Sequence, residues 1–145
     1  MQGAYNLFEK ILKDTEIAQV LYDYLDVTIK PPLDYTDLLR WQWAQSVSAL
    51  DKLIHDFVRI GMVNIFEGTR SMTDRYKSFT IDIETYNQLN SNIAVAPLIF
   101  EQQVLIKNGF LSFQDPSKIS DALSYIWDEK HKWKKIAQQM NEDEV

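Results

Sequence analysis

Ile17, Val20, Leu21, Tyr24 and Leu25 recur at the spacing that lines one face of an α-helix, and they predict a helix with that face turned to the core. Phe8, Ile11 and Leu12 add an earlier turn or two, with Asp14 or Thr15 as a bend or cap. In IKPPLDYTD two prolines then stop the helix, and Asp34 or Thr36 is placed to cap the next one. That next helix contains LLRWQWAQSVSALDKLIHDFVRIG, Leu38 to Gly61, and runs on through MVNIFEG to a stop at Gly68.

Wound at about 100° per residue, this long helix gathers Leu39, Trp43, Leu50, Leu53, Ile54 and Phe57 on one side and Gln42, Gln45, Lys52 and Asp56 on the other. The boundary between them carries Arg40, Ala44, Val47, Ser48, Asp51, His55 and Val58. Trp41 alone points away from the main apolar side. An exposed tryptophan there suggests a partner surface, such as a twin subunit.

TRSMTDRYKSFTIDI is polar, and Phe79, Ile81 and Ile83 allow a short extended piece but no sheet. A long surface loop is expected around residues 69–82. Shorter helices follow over Ile83 to Asn90 and Val95 to Asn108, the second opened by Pro97 and closed by NG. In QDPSKISDALSYIW, Asp115 is a cap and Pro116 a first helical residue, with Ile119, Ala122, Leu123, Ile126 and Trp127 on one face. Trp133, Ile136, Ala137 and Met140 mark a further stripe. The pattern predicts one all-α domain over residues 1–145, an antiparallel helical bundle. The closing NEDEV, with Asn141 three positions before Glu144, has the signature of a helix start, or else of a charged tail fraying in solvent.

Composition narrows the chemistry. The chain has 145 residues, 46% hydrophobic and 25% charged, enough for a core without covalent staples. It has no cysteine, which removes disulfides, thiolate metal sites and cysteine nucleophiles together. Its two histidines, His55 and His131, make a histidine-built zinc site implausible, and no metal or cofactor is expected. The net charge of -6 argues against holding nucleic acid through a global basic field. No apolar run is long enough to span a bilayer, no leader pattern stands at the start, and a cytoplasmic address without membrane attachment is expected.

Two clusters carry candidate chemistry. Asp51 and His55 are i, i+4 neighbours, with Ser48 one turn before Asp51. A carboxylate beside an imidazole can orient it for acid–base work. The same residues can equally satisfy polar groups where another helix packs, with Arg40 neutralising the carboxylate. A serine hydrolase is disfavoured, because there is no nucleophile elbow and three residues on one helix leave no room for an oxyanion hole. DEKHKWKK sets Lys130, His131, Lys132, Lys134 and Lys135 around Trp133. Such a strip can contact RNA or phosphate, or it is a solvated face with Trp133 turned inward.

DLLRWQWAQSVSALDKLIHDFVRIGMVNIFEG, KSFTI and ISDALSYIWDEKHKWKKIAQQM together resemble the RiboL-PSP-HEPN branch of the HEPN superfamily, from about Asp34 onward. The resemblance implies an all-α bundle, usually a homodimer, with metal-independent cleavage of RNA in bacterial defence or toxin–antitoxin settings and an antitoxin protein as partner. It makes Arg40, Ser48, Asp51 and His55 family-core polar positions without making them catalytic; Arg40, Asp51 and His55 stand as the catalytic candidates this helix offers. The family's motif pairs an arginine with a histidine after four to six intervening residues. Here the residues at that distance before His55 are Ser48, Ala49 and Leu50, and before His131 they are Ser124, Tyr125 and Ile126. The expectation is therefore a C-terminally shortened member, lacking its motif-bearing helix and catalytically incompetent. A non-catalytic dimerisation or partner-binding module is the alternative.

Overall fold

The computed structural model describes residues 1–143. Among them every regular element is helical, so the all-α expectation is met: α1 (Gln2–Tyr24), α2 (Asp37–Phe66), α3 (Asp74–Lys77), α4 (Ile83–Ser91), α5 (Ala96–Asn108), α6 (Pro116–Leu123) and α7 (Lys132–Asp143). The chain divides into two compact units, Met1–Asp56 and Phe57–Val145.

In the first unit, α1 and the start of α2 form an antiparallel pair. Ala4, Phe8 and Ile11 near the beginning of α1 share a seam with Ala49, Leu53 and Asp56. At the other end Tyr22 and Tyr35 bring their rings to 5.3 Å. No bend occurs at Asp14 or Thr15. The Thr15 hydroxyl donates to the Leu12 carbonyl at 2.6 Å, which satisfies a buried polar group inside a continuous helix. The helix widens into a π-turn over Leu25–Ile29 and ends at Lys30, whose backbone is left-handed with φ 49°. Tyr35 ties the connection back by donating to Asp26 at 2.8 Å. Asp34 accepts from the Thr36 backbone and hydroxyl at 2.9 and 2.6 Å, while the Thr36 carbonyl accepts from Arg40 N at 3.2 Å. Thr36 thus opens α2 through its carbonyl, while its own N–H and hydroxyl are tied to Asp34.

The second unit is built around the end of α2. Val58, Met62 and Ile65 are buried, as are Ala96, Phe100 and Val104 of α5 and Ile119 and Ala122 of α6. Phe66 stacks on Phe100 with centroids 4.6 Å apart. Gly68, at φ 76°, ends α2 where expected: its N–H bonds the Ile65 carbonyl at 3.0 Å and the Thr69 N–H bonds the Asn64 carbonyl at 2.9 Å. A side chain with a Cβ resists that left-handed conformation. Asp115 caps α6 by accepting from the Ser117 and Lys118 N–H groups at 2.7 and 3.4 Å, with Pro116 in the first turn.

The segment 69–82 is the long connection expected there, with one short helix set into it. That helix, α3, is capped by Thr73, whose hydroxyl accepts from Tyr76 N at 3.0 Å and donates to the Tyr125 carbonyl at 2.9 Å. Tyr76 and Phe79 set their rings 6.0 and 5.7 Å from that of Phe100. Lys107 holds the far end through Thr80 and lies 5.0 Å over the Phe79 ring. Aromatic anchors in a polar stretch turn it into a strap over the core. Asn141 departs from its expected role: it lies inside α7, so it is no N-cap, and Glu144 falls outside the described residues.

Candidate functional site

The polar stripe on α2 is only partly assembled. His55 Nε2 stands 3.6 Å from Asp51 Oδ2, with both side chains about a quarter exposed. That is an ion-pair distance, longer than a hydrogen bond. Ser48 is exposed. Arg40 does not neutralise Asp51, because eleven residues of helix separate them by about 16 Å. Arg40 pairs instead with Asp37 at 2.6 Å, in solvent.

The lysine strip is also divided. Lys130, Lys134 and Lys135 are exposed, but Lys132 is buried at 5% exposure. Its ammonium donates to Ser124 Oγ at 2.8 Å and to the Glu129 carbonyl at 2.7 Å. Lys132 is thus a buried pin holding the turn between α6 and α7, withdrawn from any phosphate. Trp133, expected inside, is close to half exposed, and its indole donates to the Pro116 carbonyl at 3.2 Å.

The strongest surface feature was read in the sequence as core. Ile17, Val20, Leu21 and Tyr24 are all exposed, Ile17 by 70%, and Val27 and Ile29 in the following turn are exposed as well. The face of α1 that turns inward is another one: Ala4, Phe8, Ile11, Thr15, Ala18, Tyr22 and Leu25, each half-buried or buried and spaced by alternating fours and threes. α1 is therefore apolar on two nearly opposite sides. The inward stripe was hidden by its small members, Ala4, Thr15 and Ala18, which allow close helix approach but contribute little to a hydrophobic pattern. Its regular spacing was the available signal. On α2, Trp41 is exposed as expected, and Trp43, assigned to the core side, is exposed even more, at 74%.

Among the described residues no group of three or more His, Cys, Asp or Glu side chains is arranged to hold a metal ion. No described helix is long and apolar enough to cross a membrane. These surfaces belong to an all-α protein, and comparison narrows the class no further: no protein-family model, curated protein or solved structure matches the chain.

Proposed function

We propose that this chain is a non-catalytic helical module that pairs with a second copy of itself through α1. The observation that carries this reading is the second apolar face of that helix. Taken with ordinary side-chain areas, the exposures of Ile17, Val20, Leu21 and Tyr24 amount to roughly 400–500 Å², in the upper part of the ~300–600 Å² of the largest patch on a typical monomer, which is often functional. A two-fold axis sets a patch against itself, so pairing removes about 800–1,000 Å² from these side chains alone, the low end of specific interfaces before the polar rim is added. Sedimentation at tens of micromolar tests this. The wild-type chain is expected to run as a dimer, and Val20→Glu as a monomer with unchanged helical circular dichroism. A wild-type monomer at that concentration ends the proposal.

A second reading, kinship with the RiboL-PSP-HEPN ribonucleases, is favoured by the all-α architecture and by the sequence likeness from Asp34 onward. Its partners are RNA and an antitoxin protein, and its setting is the cytoplasm. Under it Asp51 and His55 brace α2, since neither histidine has an arginine at the required spacing. A mixed RNA substrate incubated with the chain in EDTA is expected to stay intact. Cleavage that disappears in His55→Ala overturns that assignment.

A further inference from the structure

The second unit encloses a cavity of about 360 Å³, within the ~300–1,000 Å³ range of small-molecule sites. Val58, Phe113 and Ala122 give it an apolar floor, and Phe110, 93% exposed, supplies an aromatic wall open to solvent. Charged groups converge on it from two segments, Arg75 from α3 and Lys118 and Asp121 from α6. Among the lining residues two cations stand against one carboxylate, in a chain of net charge -6, with the Asp115 carboxylate acting on Lys118 from the start of α6.

Two further observations distinguish this cavity from a packing gap. Asn108, the last residue of α5, lines it at 8% exposure. Its carbonyl accepts from Leu111 N at 2.9 Å, yet among the described residues its side-chain amide makes no hydrogen bond. Among the described residues no buried side-chain nitrogen or oxygen lacks a partner, so the polar atoms of this amide reach the open space of the cavity, where a ligand can meet them. Arg75, in turn, is held in place. The Thr73 hydroxyl bonded to the Tyr125 carbonyl fixes the start of α3, and the Arg75 guanidinium lies 5.2 Å over the Tyr125 ring. Among the described residues neither Arg75 nor Lys118 has a carboxylate partner within ion-pair distance.

We propose that this cavity binds a small aromatic carboxylate. The carboxylate meets the planar fork of Arg75 with Lys118 beside it, the ring lies against Phe110 and Phe113, and the Asn108 amide takes a polar substituent on the ring. An arginine fork matches a carboxylate in shape as well as charge. Asp121 selects for a monoanion, because a second negative charge on the ligand would be repelled.

The test is a titration of the full chain with 4-hydroxyphenylacetate, followed by amide chemical shifts. The neutral analogue 4-hydroxyphenylacetamide and inorganic phosphate serve as controls. Saturable shifts are expected at Arg75, Asn108 and the 110–113 segment. Affinity should fall roughly tenfold or more for the neutral analogue, and likewise for Arg75→Gln or Lys118→Gln. Both substitutions are at exposed positions, and circular dichroism verifies that the fold is kept. Asn108→Leu should bring 4-hydroxyphenylacetate and phenylacetate to equal affinity. Equal binding of the neutral amide, equal competition by phosphate, or no saturable shift up to about 10 mM overturns the proposal.

Discussion

Gly61 and Ile126 approach so closely that a Cβ added to Gly61 would stand 2.5 Å from Cγ2 of Ile126 and 2.9 Å from its Cβ. Glycine inside a helix costs about 1 kcal/mol relative to alanine, and here that cost allows α2 to meet the turn after α6. Ile126 Cβ is fixed to its backbone, so the added methyl cannot be absorbed by a side-chain rotation. Overpacking costs about 1–3 kcal/mol and exceeds the gain in propensity. Gly61→Ala is expected to lower stability by a net of up to ~2 kcal/mol in urea denaturation, with unchanged slope.

Thr73 makes two hydrogen bonds from one hydroxyl, to Tyr76 N and to the Tyr125 carbonyl. Thr73→Val keeps the shape and removes both, leaving a helix start uncapped and a carbonyl unmatched. A loss of about 1–3 kcal/mol is expected. Hydrogen exchange at Tyr76 should accelerate more than exchange within α5, because the strap loosens before the core.

Neighbours on α1 should respond unequally to the same charge. Ile17→Glu places a carboxylate in solvent and, measured below the dimer concentration, is expected to shift stability by only about 0.5 kcal/mol. Ala18→Glu places it in a buried position, at a cost of about 3 kcal/mol or more. Thermal melts of the two variants decide. Equal effects would mean that the assignment of inner and outer faces is wrong.

Lysines of one strip should separate in the same way. Lys132→Met is expected to destabilise the chain by about 1–3 kcal/mol, because Ser124 and the Glu129 carbonyl lose a charged donor. Lys134→Ala and Lys135→Ala are expected to stay within about 0.5 kcal/mol, as exposed positions do.

Capping aspartates set an acid limit. The Thr85 N–H and then its hydroxyl hold the Asp82 carboxyl below its ordinary range, and the Ser117 hydroxyl and then its N–H do the same for Asp115. A folded-state value below the unfolded one gives stabilisation that is complete above the unfolded value, about 3.9, and lost as pH falls through the folded value. The wild-type chain should therefore exceed Asp115→Asn in urea midpoint near pH 6. The difference should close as pH falls below about 4. A gap that persists at pH 2 would show that the charge is not the cause.

Caps and breakers were legible because they act within a few residues. Asp115 with Pro116, Thr36 ahead of α2 and Gly68 after it each solve a local hydrogen-bonding problem that the chain states in its own order. The strap was less legible. α3 is only Asp74–Lys77, and Tyr76 and Phe79 look incidental in a polar stretch until Phe100 is set beside them. The cavity was invisible, since Arg75, Asn108 and Lys118 come from three segments and meet only in the folded second unit. Periodicity is blind to contacts between distant segments.

What the sequence by itself determined is that this chain is helical, where most of its helices start and stop, and that Asp51 and His55 fall as neighbours on one of them. Only tertiary structure decided which side of α1 turns inward, that Lys132 is buried while Lys134 and Lys135 are not, and that Asn108 borders empty space. The physical reason is the range of the forces concerned. Hydrogen bonds along a helix are settled between residues four apart, whereas burial depends on which other surface arrives to exclude water. A helix with two apolar faces states that choice without making it.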